Sequence, residues 1–173
     1  MTKTAFAFGA DEQAFTRDRR KSFTIPARYY SDPSIYEAEK GAVFHRNWWL
    51  VGHVTRFPEV GSYVRVDVQV QCVLVIKGRD GELRAFYNVC QHRGHEMVKD
   101  DDGRLRNLMV CPYHAWAYDF EGSLVRARNT EELPDFDKCN FGLKSVKLEV
   151  LADFVYVNLD PDAESLNDLT PGI

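Results

Sequence analysis

No apolar run in this chain approaches the length of a membrane span, and Met1 to Ala10 lack the apolar core of a secretory leader. A cytoplasmic protein that does not enter a membrane is the expectation. Excess basic charge is also missing. Lys and Arg total 22 against 26 Asp and Glu, for a net charge of −4, which gives nucleic-acid binding no support. The one basic run, Arg17-Asp18-Arg19-Arg20-Lys21, is short, interrupted by Asp18, and reads as a solvated arm. Cysteine is scarce. Four residues in 173 make no disulfide framework, and a cytoplasmic setting disfavours a Cys72–Cys139 bridge. No internal repeat or low-complexity tract is present.

The chain does have 45% hydrophobic and 13% aromatic residues, at a length sufficient for one domain with a sizeable core. Phe6, Phe8, Phe15 and Phe23 are scattered among charges in a weakly patterned start. Ser31-Asp32-Pro33 then predicts a helix start, with Asp32 as cap and Pro33 in the first turn. Ile35, Tyr36, Ala38, Ala42 and Val43 give that helix an apolar face out to about Phe44.

Strands follow. Trp48 to Val54 is apolar and aromatic. Tyr63 to Val70 alternates, with Val64, Val66, Val68 and Val70 on one face and Arg65, Asp67 and Gln69 on the other. Cys72 to Lys77 reads as a strand buried on both faces, with Cys72 a small buried hydrophobe. Gly78-Arg79-Asp80-Gly81 turns the chain into a third strand, Leu83 to Val89. Asp100-Asp101-Asp102 lacks the alternating ligands of a calcium loop and reads as a solvated hairpin tip. Leu108 to Val110, Trp116 to Phe120, Ser123 to Arg126, Val146 to Leu151 and Phe154 to Leu159 complete the set, with a polar loop from Asn129 to Cys139. Short strands with regular turn signals indicate an all-β fold, a small antiparallel sandwich or barrel, preceded by a short N-terminal helix.

Two segments carry chemistry. Cys90-Gln91-His92 and Cys111-Pro112-Tyr113-His114 each pair a thiol with an imidazole, with eighteen residues between them. Two thiolates with two neutral imidazoles form the ligand set of a Rieske [2Fe–2S] centre, in which His₂ replaces Cys₂ on one iron. A Cys₂His₂ zinc site is the plainer alternative. Zinc-finger spacing pairs Cys with Cys and His with His, whereas each segment here is mixed.

Asn88-Val89-Cys90-Gln91-His92-Arg93-Gly94 and Cys111-Pro112-Tyr113-His114-Ala115-Trp116 resemble the cluster-binding loops of Rieske non-heme iron oxygenase α subunits, the ring-hydroxylating dioxygenase family. The resemblance runs from about Tyr29 to Pro161. It implies a Rieske-type β-sandwich with a two-loop cluster-binding subdomain at residues 47–160, after an N-terminal arm and helix at 1–46. It implies one [2Fe–2S] cluster, with Cys90 and Cys111 on one iron and His92 and His114 on the other. Residues 161–173 resemble the start of the crossover into a catalytic domain. Ala115, where most of the family carries Gly, looks more like the branch acting on quaternary ammonium compounds. Respiratory-chain Rieske proteins carry an extra Cys in each loop and a Ser at the place of Trp116. This chain has neither, which implies a low-potential centre.

In the family, electrons arrive from a reductase or ferredoxin and pass to the catalytic domain of a neighbouring subunit in a trimer. A mononuclear Fe(II) there sits in a 2-His-1-carboxylate triad. The remaining histidines, His45, His53 and His95, make no such set with a carboxylate, so that iron is expected only in a C-terminal domain beyond these residues. The resemblance therefore implies the Rieske portion of an oxygenase that hydroxylates or demethylates a small molecule with O₂ and NAD(P)H-derived electrons. A stand-alone Rieske ferredoxin is the alternative. It would begin near Trp48, without the capped helix. A zinc-stabilised binding module is the third reading, separable by the absorption spectrum.

Overall fold

The computed structural model describes residues 17–22, 24–130 and 132–172. Phe6, Phe8, Phe15 and Phe23 lie outside the described residues. Packing divides the chain into two compact units, one ending at Lys40 and the other beginning at Gly41.

The first unit holds two short helices, α1 (Arg28–Ser31) and α2 (Pro33–Glu39). Nothing in the pattern of residues 28–31 points to α1. Asp32 caps α2 as its pattern predicts, its carboxylate accepting from Ser34 N at 2.9 Å, with Pro33 in the first turn. A π-helical turn, Lys40–Phe44, covers the rest of the stretch read as helical. The expected apolar face is thinner than its pattern: Ile35 is buried, while Tyr36 and Val43 are exposed.

In the second unit, β1 (Trp49–His53), β2 (Ser62–Val68), β3 (Gln71–Lys77), β4 (Leu83–Tyr87), β5 (Asp102–Arg104), β9 (Ser145–Leu151) and β10 (Phe154–Asn158) form one sheet. Its order is β1-β10-β9-β4-β3-β2-β5, with every neighbouring pair antiparallel. A second sheet has the order β6-β7-β8, from β6 (Met109–Val110), β7 (Ala117–Tyr118) and β8 (Leu124–Arg126). The fold is all-β and antiparallel as expected. Four strands separate β1 from β2 in the larger sheet, yet Val51, Val155 and Val157 share one core with Val64, Val68, Val73 and Val75. The sheet therefore curls until its distant strands meet across that core.

β3 is the hinge of the packing. Val73 to Ile76 are all fully buried. Val73 and Val75 point into the valine core, whereas Leu74 and Ile76 join a second core with Phe86, Met97, Met109, Trp116, Tyr118 and Phe120. That second core contains Cys90 and Cys111. Burial of each aliphatic side chain contributes about 1.5–3 kcal/mol, so β3 ties the small sheet and the candidate site to the large one.

Three local expectations change. Val70 is not on the strand face. Gln69 takes φ 58° and Val70 is exposed, so the pair makes a two-residue turn between β2 and β3. Neither residue is a usual turn former. Asp102 to Arg104 are not a free hairpin tip but the edge strand β5 on β2, and Arg65 N donates to Asp101 O at 2.7 Å. Cys72 is only half-buried and sits among polar groups, with Arg65 Nε 3.1 Å from its sulfur. Cys72 and Cys139 are both free thiols.

The two site loops share one backbone design. Cys90 N donates to His95 O at 2.8 Å and Gly94 N to Cys90 O at 3.0 Å. In the second loop, Cys111 N donates to Trp116 O at 2.8 Å and Ala115 N to Cys111 O at 3.0 Å. The residue four past each cysteine is left-handed: Gly94 at φ 68° and Ala115 at φ 58°. Glycine adopts this freely, whereas alanine is strained there by about 1–2 kcal/mol. Ala115→Gly is expected to raise stability by about 0.5–1 kcal/mol, net of the added chain entropy. Thermal melting of both proteins checks this, and an unchanged or lower midpoint would contradict it.

The β3–β4 turn closes as its sequence predicts, with Gly81 at φ 89°. Asp80 accepts from Arg84 at 2.6 and 2.9 Å and from Glu82 N at 3.1 Å. The Arg84 hydrogen bond, then that of Glu82 N, holds its pKa to about 2, below the ordinary aspartate value. The sign follows from linkage: a depressed pKa stabilises the fold above the unfolded-state value, and that contribution disappears as pH falls through the folded one. Asp80→Asn is therefore expected to lower stability at neutral pH and to converge with the native chain near about pH 2. Urea midpoints across the acid range check this.

Candidate metal centre

Strand β4 ends at Tyr87 and leads into the first loop, while β6 and β7 flank the second. The shared closures bring like residues together. Cys111 and Cys90 are buried side by side and interact through their side chains. His92 and His114 lie with ring centroids 4.8 Å apart and planes at 75°. Thiols and imidazoles thus form two adjacent pairs.

Aromatic packing orients the imidazoles. His92 stacks on Trp116 with centroids 4.8 Å apart and planes 14° apart. Phe136 and Phe141 then meet Trp116 edge-on at 5.7 and 5.6 Å. His114 lies against Tyr113 at 3.8 Å. Trp116 is thus packed between His92 and the two phenylalanines. Phe136 and Phe141 were not singled out, because they come from the stretch read as a polar loop and from just beyond it. A cleft of about 320 Å³ beside the imidazoles is lined by His92, His114, Trp116, Leu133, Phe136 and Phe141, among others.

Electrostatics separate the groups. Burial, foremost, pushes the Cys111 thiol above its ordinary pKa, with the neighbouring Cys90 adding to it. His114 is held below the ordinary imidazole value by burial, then by His92, Arg93 and His95. It is therefore neutral at neutral pH, the form that binds metal. Burial also pushes the Tyr118 phenol far up, aided by Cys90, so its hydroxyl stays protonated. Gln91 N donates to Tyr118 Oη at 3.1 Å, which leaves the phenol's own hydrogen for Cys90 Sγ at 3.5 Å. Tyr118 is not among the site residues that the loop motifs indicate, although it lies two residues past Trp116. Alternation from Trp116 into β7 could have pointed to it, since both side chains enter the core that holds the cysteines.

Of the other histidines, His95 stands beside the imidazole pair, its ring centroid 5.3 Å from that of Tyr113. His95 Nδ1 donates to Glu96 O at 2.7 Å. His53 caps a turn, its Nδ1 2.9 Å from Thr55 Oγ1. His45 Nε2 is buried without a partner. Among the described residues, no three His, Cys, Asp or Glu side chains are grouped to hold a single metal ion.

A fit test for a cluster comes from His114. Its Nδ1 is buried with no hydrogen-bond partner, a state that costs free energy unless something ligates the nitrogen. The donor set is two soft sulfurs beside two nitrogens. The thiols lie with each other and the imidazoles with each other, and no three of the four gather round one point, an arrangement that suits two irons with separate ligand pairs. Cys90, His92, Cys111 and His114 could hold a [2Fe–2S] cluster with no other residue moved into the site.

Comparison with known proteins agrees. The Rieske [2Fe-2S] domain family matches residues 47–137. The chain is 41% identical over 159 residues to the carnitine monooxygenase oxygenase subunit of Escherichia coli (strain K12), covering 92% of this chain and 42% of that one. To the glycine betaine monooxygenase oxygenase subunit of Pseudomonas aeruginosa (strain UCBPP-PA14) it is 33% identical over 152 residues, covering 88% and 35%. Among solved structures it resembles a quaternary ammonium Rieske monooxygenase in complex with L-carnitine, with TM-score 0.83, 38% identity and 88% and 43% coverage. A naphthalene 1,2-dioxygenase from Rhodococcus sp. gives TM-score 0.77 at 29% identity, covering 83% and 33%. The chain spans less than half the length of the relatives it matches. Loop chemistry, fold and these likenesses together place the chain in the Rieske [2Fe–2S] domain family, with the iron–sulfur cluster as its cofactor.

Proposed function

We propose that Cys90 and Cys111 bind one iron of the cluster and His92 and His114 the other, and that the chain relays single electrons as the Rieske part of an oxygenase subunit. The observation that carries this is the buried, unpartnered Nδ1 of His114 within the paired thiols and imidazoles. When bound, the cluster supplies reversible one-electron chemistry. The protein's own groups do the rest. Trp116 and Tyr113 hold the imidazole planes, and the Tyr118 hydroxyl donates a hydrogen bond to the Cys90 sulfur. Residues 47–160 form the cluster domain, with the arm and helix of 1–46 before it and 161–173 leading onward.

The whole protein is read as one that takes electrons from a reductase or ferredoxin. It passes them to a mononuclear iron in the catalytic domain of a neighbouring subunit, within a trimer in the cytoplasm. No helix among the described residues is long and apolar enough to cross a membrane. Relatives named for carnitine and glycine betaine, with Ala115 in the second loop, favour a quaternary ammonium substrate over an aromatic ring. A stand-alone ferredoxin remains the second reading. The capped helix α2 ahead of the cluster domain disfavours it.

Ligand substitution tests the assignment. His92→Cys or Cys111→Ser is expected to abolish the Rieske electron paramagnetic resonance signal of the reduced chain. An unchanged signal in either variant sinks the ligand set.

The phenol offers a quantitative check. Hydrogen bonds to a cluster sulfur favour the reduced form, which carries more negative charge. Tyr118→Phe is expected to lower the midpoint potential by about 60 mV, the one-electron equivalent of a tenfold shift in the equilibrium. Protein-film voltammetry reads it, and an equal or higher potential would remove Tyr118 from the tuning.

A further inference from the structure

The two loops differ at their bases. Below the second loop the ladder continues: Val110 pairs with Ala117 and Met109 with Tyr118. Below the first, Val89 pairs with Glu96 as an isolated bridge. The next rung is occupied by Asn88, and there the side chain does most of the pairing, beside one long backbone bond from Met97 N to Asn88 O at 3.4 Å. Asn88 Oδ1 accepts from Met97 N at 3.1 Å and Val98 N at 3.0 Å, and Nδ2 donates to Val98 O at 2.7 Å. The other Nδ2 hydrogen faces Cys72 Sγ and Glu96 Oε1, each 3.4 Å away. Asn88 N donates to Cys72 O at 2.9 Å. Asn88 is 1% exposed, so each of these bonds is made away from bulk water. Arg65 reaches the same knot, with Nε 3.1 Å from both Glu96 Oε1 and Cys72 Sγ.

We propose that Asn88 is a positioning residue that presets the first loop, so that Cys90 and His92 already face Cys111 and His114 before iron is bound. The inference rests on the ligand set proposed above and adds a residue that touches neither iron nor sulfide. A carboxamide on a one-carbon stem behaves as a spare peptide group. It accepts twice and donates, as a ladder rung does. Aspartate matches its shape but loses the donor and brings a charge into a buried place. Met109, the equivalent residue of the second loop, needs no polar end because a true ladder holds that loop. Without Asn88, the first loop would have to lose its freedom at the moment of loading, and the loaded imidazole would be less firmly oriented.

The test uses the full 173-residue chain. In the iron-free native protein, amide hydrogen exchange should find Met97 N–H and Val98 N–H protected. In Asn88→Ala the Val98 amide should exchange freely and the Met97 amide, left with only its long bond to the residue-88 carbonyl, faster than in the native chain, while those of β3 and β7 stay protected. Iron loss from the loaded variant to a chelator should be at least about tenfold faster, the range seen when partners just beyond the ligands are removed. Its paramagnetic g-values should shift, which a loss of global stability alone would not produce. Should Asn88→Ala fail to fold, Asn88→Asp keeps both accepting contacts. It should retain the Met97 and Val98 protection yet release iron faster than the native chain. Cys72→Ala leaves the rung intact and should load and retain iron normally. Unprotected Met97 and Val98 amides in the folded iron-free chain would overturn the proposal. So would native g-values and iron retention in either Asn88 variant. Failure of the ligand set itself would show differently, as a native chain with no Rieske signal or a Cys111→Ser variant that keeps it.

Discussion

Each candidate cysteine is tied across its own loop by its peptide, and the site depends on those ties. The N–H of Cys90 reaches five residues on to His95 O, and its C=O takes the N–H of Gly94. Cys111 repeats both bonds with Trp116 and Ala115. These closures bury both sulfurs together and leave the imidazoles at a neighbouring edge, with the thiols inside the core and the rings beside a cleft. A left-handed residue is the geometric cost of such a closure. The chain meets it once with Gly94 and once with the strained Ala115.

Closed loops need a firm base, and β3 provides it. Alternation along this strand sends Val73 and Val75 into one core and Leu74 and Ile76 into the other. A strand used on both faces couples the curl of the seven-stranded sheet to the seating of the small one. Phe86 from β4 joins Leu74 and Ile76 in the core that holds Cys90 and Cys111. The β3–β4 hairpin thereby links the sheet to the site twice, through core packing and through the chain that runs on into the first loop.

What the sequence disclosed followed from how local each signal was. The mixed Cys–His segments, the Asp32–Pro33 helix start, the Asp80–Gly81 turn and the two-faced strand at Cys72 to Lys77 are all readable within a few residues. The failures are non-local. The pairing of Asp102 to Arg104 with β2 depends on a partner forty residues away in sequence, so their charge alone suggested a free tip. Val70 continues an alternation that the chain breaks at Gln69. Cys72 sits in an apolar run, yet Arg65, Asn88 and Glu96 converge on it only after β2, β3 and the first loop have met. Tyr118 and Phe141 likewise acquire roles through what they pack against, and isolated aromatics in a sequence do not disclose that.

The two imidazoles are held by stacking. Metal-bound histidines usually donate their other ring N–H to a carboxylate or carbonyl that fixes the ring. Among the described residues, neither the His92 ring nor the His114 ring makes a hydrogen bond, and the stacked Trp116 ring and the tilted Tyr113 ring take over the orienting role. Stacking constrains the plane of a ring without consuming its polar edge. Under the proposed ligation, the nitrogen not bound to iron therefore stays available on each ring for a hydrogen bond to another surface. The two rings are not equivalent in this. His92 is backed by the Trp116, Phe136 and Phe141 wall, while His114 lies on Tyr113, which is half-exposed and has the Arg93 guanidinium over its ring at 5.9 Å. His92 is nevertheless the more exposed residue of the two, while His114 is half-buried with its Nδ1 shielded, so the ring stacked on Trp116 is the easier for an approaching protein to reach and the His114 ring is the more enclosed. An electron relay needs both a fixed ligand frame and an accessible edge, and unequal aromatic packing supplies the two from one pair of histidines.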